Sequence, residues 1–462
     1  MPPLRNTCLA VVVLVAILQA AASMQDPTLI TNPSERFAMR VLAAGLEGPW
    51  EVAWGPDQML WVTERTGRRV IRINPNDGSR TTLVSIPEVN TTFAQDGLLG
   101  LAFHADFMRN AGADFVYVAF TYDDAAGTAL ARRLAVRRYR YEGSTRTLVD
   151  PLDILTGLPT HTDHVGGRLA FGADRKLYVT IGDQGSNFGS NICNENLAQV
   201  LPTAAEVRGR NWSHYQGKIL RIELDGSIPA DNPAIDGVRS HVFTWGHRNP
   251  LGLVVAPDGR LYESEHGPGS DDEVNLIEGG HNYGWPNVAG LRDDKSYVYA
   301  NWSKSAPQPC PSLPRGAVIP PSVPTQTETA WNDSRFMPPL RTFFTVDNGY
   351  DLRTIGSATI APGGIEYYAG AGIPGWSRSL LVPSLIRGAV YRMSLAPDGR
   401  STQGPVVEMF RSANRYRDIA INPDGRTLYV ATDVSGPSRN AAGVVSQVLT
   451  NPGSILEFTF TP

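Results

Sequence analysis

The sequence predicts an all-β fold, a six-bladed β-propeller of four-stranded antiparallel sheets. Three observations carry that prediction. A short theme recurs along the chain: an Asp-Gly-like turn followed by an apolar strand that alternates faces with period two. Gly (45) and Pro (35) are both abundant without low complexity, as short strands joined by many turns require. At 462 residues the chain exceeds the ~250 at which single cores usually stop growing. It therefore either divides into domains or grows by repeating a module.

The theme appears, in order, as Gly55–Thr63 (GPDQMLWVT), Gly172–Thr180 (GADRKLYVT), Ala256–Ser264 (APDGRLYES) and Asn422–Ala431 (NPDGRTLYVA). Weaker copies are His104–Phe120, ending in DFVYVAF, and Ala361–Tyr368 (APGGIEYY). Partner strands follow at Arg69–Ile73, Lys218–Leu224 and Ala389–Leu395. About six such units fit the chain, which is the repeat count of a closed propeller. A pair of β-sandwiches explains the repeated turn less well. No internal linker interrupts residues 24–462, which read as one domain.

Residues 1–23 read as a secretory signal peptide. Arg5 is a positive n-region, Leu9–Leu18 a short apolar run, and Ala20–Ala22 a small-residue cleavage site. The apolar run is shorter than the ~20 residues that span a bilayer, so the mature chain is expected to be exported, periplasmic or secreted, with no membrane insertion. Cys193 and Cys310 remain after cleavage and are either paired across two loops or two separate thiols. The net charge of −4, with no basic stripe, argues against nucleic acid as a partner.

The densest chemistry lies in Ser264–Gly290 (SEHGPGSDDEVNLIEGGHNYGWPNVAG). Carboxylates and turn carbonyls are the hard oxygen ligands that calcium selects, although a solvated acidic turn has the same composition. Four further segments look chemical: Gln95–Gly100 (QDGLLG), His161–Arg168 (HTDHVGGR), Thr244–Pro250 (TWGHRNP) and Asn414–Asp418 (NRYRD). His164 reads either as a structural histidine or as a general base. Arg248, Arg415 and Arg417 are either inter-blade salt bridges or a pocket for an anionic group.

From Arg36 to Phe460 the chain resembles the soluble PQQ-dependent glucose dehydrogenases and their aldose sugar dehydrogenase relatives. The resemblance rests on LWVTERTGRRVIRINP, DGLLGLAFHADF, GRLAFGADRKLYVTIGDQG, GKILRIELDGSIPADNP, GHRNPLGL, GPGSDDEVNLIEGGHNYGWPNVAG, LLVPSL and NRYRDIA. It implies a six-bladed propeller that binds pyrroloquinoline quinone (PQQ) and calcium, oxidises a sugar at C1 and passes electrons to an external acceptor. His164 would be the base, Asp163 its support, Gln95 its neighbour, and Arg248 the stabiliser of charge on the quinone oxygen. Asn249, Thr359, Arg415 and Arg417 would hold PQQ. The Gly267 and Pro268 carbonyls would bind the cofactor's calcium, with Asp272, Glu273 and Tyr283 close by. Ala289, Leu291, Asp293 and Glu328 would hold a second, structural calcium. The resemblance also implies a homodimer.

The chain departs from the pattern where a cofactor lysine becomes Ile386, two glutamines become Leu251 and His266, and a tryptophan becomes Ser357. The loop after Asp183–Gly185 has diverged where the family contacts sugar. A calcium-dependent propeller hydrolase such as a lactonase, and a non-catalytic sugar- or partner-binding propeller, are the alternative readings.

Overall fold

The computed structural model describes residues 29–462 apart from 32, 110–111, 126–129, 317, 353–354 and 441–442. The expected signal peptide lies outside the described residues. Six four-stranded antiparallel units follow one another around a ring. Blade 1 spans residues 49–85, blade 2 98–159, blade 3 166–245, blade 4 250–343 and blade 5 366–409. Blade 6 takes three strands from residues 416–461 and its outer strand, Arg36–Ala43, from the other end of the chain. That pairing closes the ring non-covalently. Leu29–Ile30 adds a short parallel edge to blade 5.

The recurrent theme is the hairpin joining the first two strands of blades 1, 3, 4 and 6. Its physical logic extends beyond the turn. Asp57 in the blade 1 turn accepts from Trp61 Nε1 at 3.0 Å and pairs with Arg72 on the third strand at 2.7 Å. Asp174 repeats this in blade 3, taking Tyr178 Oη at 2.8 Å and Arg221 Nε at 2.8 Å. One carboxylate thus ties three strands.

Hydrophobic cores lie between neighbouring sheets. Trp61, Val70 and Leu83 of blade 1 pack on Leu98, Val116 and Phe120 of blade 2. Each first strand touches those of the adjacent blades, so the six line a central channel. Strand direction is the same in every blade. The segment entering each first strand and the loop leaving each second strand therefore emerge on one face. No helix among the described residues is long and apolar enough to cross a membrane.

Candidate active site

His164 sits in the segment entering blade 3, buried, with a left-handed φ of 45°. Asp183 follows the second strand of the same blade. His164 Nδ1 lies 2.6 Å from Asp183 Oδ1. The backbones meet so closely that a Cβ on Gly182 would fall 2.0 Å from the His164 carbonyl oxygen, so only glycine fits there. Asp183 is fully buried and fixed by three further donors: Gly185 N–H at 2.9 Å, Asn196 Nδ2 at 2.9 Å and Trp285 Nε1 at 2.7 Å. A carboxylate held this way keeps the proton on Nδ1 and leaves Nε2 as the basic nitrogen.

The side chain that bonds the His164 ring is thus Asp183, while Asp163, for which the resemblance implied a supporting role, stands beside the ring. Asp163 Oδ1 accepts the His164 backbone N–H at 3.0 Å and a bond from Gln95 Nε2, so Asp163 fixes Gln95 and the loop. Its oxygen lies 4.0 Å from His164 Nε2. Phe188, 43% exposed, was not singled out in the sequence. Its ring lies 5.8 Å from that of His164, tilted 24°, and 4.9 Å from the Arg248 guanidinium carbon. The loop bearing Phe188 is stapled by a Cys193–Cys310 disulfide, which resolves the two cysteines as a pair.

Arg248 and Asn249 enter blade 4. Their backbone N–H groups both donate to Glu265 Oε2, at 2.5 and 3.2 Å. Arg248 Nε and Asn249 Oδ1 are buried without a hydrogen-bond partner in the protein. Across a cavity of about 260 Å³, Arg415 and Arg417 share Asp433, with Arg417 bidentate at 3.0 and 2.8 Å. Burial would raise Asp433, but the Arg417 and Arg415 charges outweigh it and hold the carboxyl below its ordinary range. Arg65 lines the same cavity; desolvation first, then the Arg417 charge, lower its guanidinium from its ordinary value, with Asp433 and Asp96 opposing. Three guanidiniums against one carboxylate leave a positive surplus suited to an anionic ligand. His266 also lines this cavity; its Nε2 lies 2.8 Å from the Pro362 carbonyl oxygen. Desolvation first, then the charges of Arg248, His164 and Arg417, push that imidazole well below its usual range, so it is neutral.

Gly267 opens the turn after the second strand of blade 4, and its N–H donates to Asp272 Oδ1 at 2.9 Å. A Cβ there would lie 1.8 Å from the Ser270 carbonyl oxygen, so the turn folds into a carbonyl-rich cradle that only glycine permits. Asp272 Oδ2 accepts Thr359 Oγ1 at 2.6 Å and the backbone N–H groups of Ile360 and Ala361 at 2.6 and 3.0 Å. With four donors, Asp272 positions this turn and the Thr359 loop instead of offering a free ligand. Tyr283 is likewise engaged elsewhere: its hydroxyl donates to the Leu276 carbonyl at 2.6 Å and its ring stacks on His247. Glu273 Oε1 accepts Gly290 N–H at 2.7 Å.

Glu328 accepts from Ala289, Asp293 and Asp294 N–H groups, which gathers the expected second calcium set into one loop. Burial first, with the Asp293 charge adding, pushes Glu328 up to about 7. The Leu291 side chain is exposed, so that residue has only its backbone to offer. Ile386 is buried beneath the Gly356 loop, and Leu251 lines the cavity.

Fold and cavity together define a six-bladed propeller whose channel mouth places the Asp183-bonded His164 beside an arginine-rich pocket. The glucose/sorbosone dehydrogenase family model matches residues 46–322 and 352–440, and the chain belongs to that family. It is 45% identical over 441 residues to quinoprotein glucose dehydrogenase B of Acinetobacter calcoaceticus, covering 92% of each chain. Aldose sugar dehydrogenase YliI of Escherichia coli is 26% identical over 408 residues, covering 86% of this chain and 90% of the relative. The PQQ-bound aldose sugar dehydrogenase structure from Streptomyces coelicolor superposes with a TM-score of 0.62 at 25% identity, covering 93% of this chain and all of that one.

Proposed function

We propose that this enzyme is a PQQ- and calcium-dependent dehydrogenase that oxidises an aldose at C1 to the lactone. The observation that carries the reading is the His164–Asp183 pair beside a pocket with partnerless Arg248 Nε and Asn249 Oδ1. The Arg248 Nε–H donor and the surplus charge of Arg65, Arg415 and Arg417 fit a planar polyanion with ring carbonyls, and the Asn249 amide oxygen fits a ring N–H. Arg248, Asn249, Thr359, Arg415 and Arg417 would hold PQQ, and the Gly267 and Pro268 carbonyls would hold its calcium. When bound, PQQ supplies the two-electron acceptor and calcium polarises it as a Lewis acid.

The chain's own residues do the rest. His164 Nε2 takes the C1 hydroxyl proton, and the buried Asp183 stabilises the imidazolium that forms. Arg248 provides positive charge where negative charge develops. Phe188 offers an exposed aromatic face beside both groups, suited to the apolar face of a sugar ring. The disulfide supports maturation in an oxidising, exported compartment. An external electron acceptor and a homodimer complete the proposal; Ala289, Leu291, Asp293 and Glu328 would hold the second calcium, with Glu273 close to the first.

Reconstituting metal-free protein with PQQ and calcium, then screening aldoses for dye reduction, tests the reading. Sugar-dependent reduction requiring both additions is expected. Lactone hydrolysis without PQQ, in place of dye reduction, would overturn it.

A further inference from the structure

Blade 4 holds a second charge cluster, one layer behind the cofactor turn. Strands Leu261–Glu265 and Asp272–Ile277 pair with Glu263 opposite Asn275 and Glu265 opposite Glu273. Opposite partners and alternate residues share a sheet face, so all four side chains point the same way. All four are buried. His247 closes the group from the blade 3–4 connection, with Nδ1 3.0 Å from Glu265 Oε1 and Nε2 2.9 Å from Thr244 Oγ1. Ligand-type atoms of His247, Glu263 and Glu265 all lie within 4.8 Å of one another.

The cluster cannot satisfy itself. Asn275 Nδ2 lies 3.0 Å from Glu263 Oε2, 3.1 Å from Glu273 Oε2 and 3.5 Å from Glu265 Oε1. Two amide hydrogens cannot serve three carboxylates well. Glu263 Oε1 and Asn275 Oδ1, both in fully buried side chains, have no partner in the protein. Their one contact with a basic side chain among the described residues is the hydrogen bond between Glu265 and the His247 imidazole, which desolvation first, then the Lys218 charge, hold well below its usual range. The nearby Lys218 ammonium is already spent on the carbonyls of Leu197, Ala198 and Gln216. Asp183 and Asp272, equally buried, are by contrast saturated by donors. What is missing here is positive charge, with acceptor oxygens waiting for it.

We propose that this face of blade 4 binds a hard divalent cation of the calcium class through oxygens of Glu263, Glu265 and Asn275, with Glu273 at its edge. Asn275 would turn its amide over so that oxygen replaces nitrogen at the carboxylates, a change that leaves its shape unaltered. His247 holds Glu265 from behind as a positioning residue. The ion is separate from those proposed at Gly267–Pro268 and at Ala289–Glu328. Its consequence reaches the pocket, because the other oxygen of Glu265 holds the Arg248 and Asn249 backbone. A cation here would fix the peptide that presents both side chains to the cofactor.

The test uses the full chain without PQQ, so failure of the dehydrogenase reading leaves it intact. Chelator-treated protein is titrated with calcium, bound metal is counted by mass spectrometry, and Tm is followed with and without calcium. Glu263→Met removes both oxygens at similar volume. It should bind one calcium fewer per chain than wild type, with a calcium-free Tm equal to or above wild type. Asn275→Asp adds ligand charge and should lower the calcium concentration for half-saturation by about tenfold. It should also make Tm more dependent on calcium. A calcium count unchanged in Glu263→Met would overturn the site in favour of carboxylates that share protons. If Glu263→Met does not fold, Asn275→Asp decides: destabilisation that calcium does not reverse overturns the proposal.

Discussion

The interior of the central channel and its ligand-facing mouth carry the same groups in opposite proportions. Inside the channel the buried Arg168 is surrounded by Glu51 at 2.6 Å, Asp418 at 3.1 Å and the Leu251 carbonyl at 2.7 Å, and its guanidinium carbon lies 4.3 Å from the Trp50 ring. One cation there ties blades 1, 3, 4 and 6 together. At the mouth Arg415 and Arg417 share a single carboxylate, Asp433, and Arg65 makes no ion pair among the described residues. An arginine whose charge is consumed by several blades holds the ring closed. Arginines in surplus leave charge for a ligand. The count of opposite charges, more than burial, separates structure from recognition.

The largest expected effect is at the base. His164→Asn should lower sugar-dependent turnover by about 10²–10⁴-fold while PQQ still binds, as its absorbance change on binding would report. Asp183→Asn should lower turnover similarly, whereas Asp163→Asn should cost much less. Equal losses from the two aspartates would erase the distinction between the orienting carboxylate and its neighbour.

Inside the channel, Arg168→Met strands two buried carboxylates and should cost about 3–5 kcal/mol of stability in denaturant titration. PQQ affinity should change little. Arg417→Ala should do the reverse: PQQ affinity falls about ten- to a hundredfold, the loss of one charge-assisted contact of ~1.5–3 kcal/mol, with a smaller change in stability. If both substitutions act mainly on stability, the contrast between channel interior and mouth fails.

The same contrast has a pH signature. Desolvation first, then the Asp418 charge, pushes Glu366 up to about 7, with Arg168 opposing. A carboxyl raised in the folded state stabilises while protonated. Its contribution is complete below its ordinary value of about 4.5 and is lost as pH rises through about 7. Tm should therefore decline over that window, and Glu366→Gln should flatten the decline. The smallest effect is expected at Phe188→Ala, which should raise KM for sugar several-fold with kcat nearly kept. A fall in kcat alone would assign Phe188 to holding His164 instead.

Much of the fold was legible because the turn-and-strand theme is local. Asp57 and Asp174 sit four residues before the aromatics they bind, so sequence spacing records the contact. The closing strand Arg36–Ala43 left no such signal, since its partner lies at the far end of the chain. The site was legible residue by residue but not in its pairings. His164, Arg248, Asn249, Arg415 and Arg417 do converge on one face. The resemblance implied Asp163 as the support of His164, but its side chain turns to the backbone and to Gln95, and the ring bond comes from Asp183, nineteen residues on. The Gly182–Asp183–Gln184–Gly185 run, a polar turn directly after a buried strand, was the signal that could have found it.

Composition and period-two patterning by themselves determined the all-β repeat, and the residue types in a few loops determined the chemistry on offer. Those properties depend on near neighbours in the chain. The tertiary structure alone decided which carboxylate orients His164, which arginines remain in surplus, and which buried acids lack a counter-charge. Each of these is a sum over groups from different blades, and only ring closure brings them together.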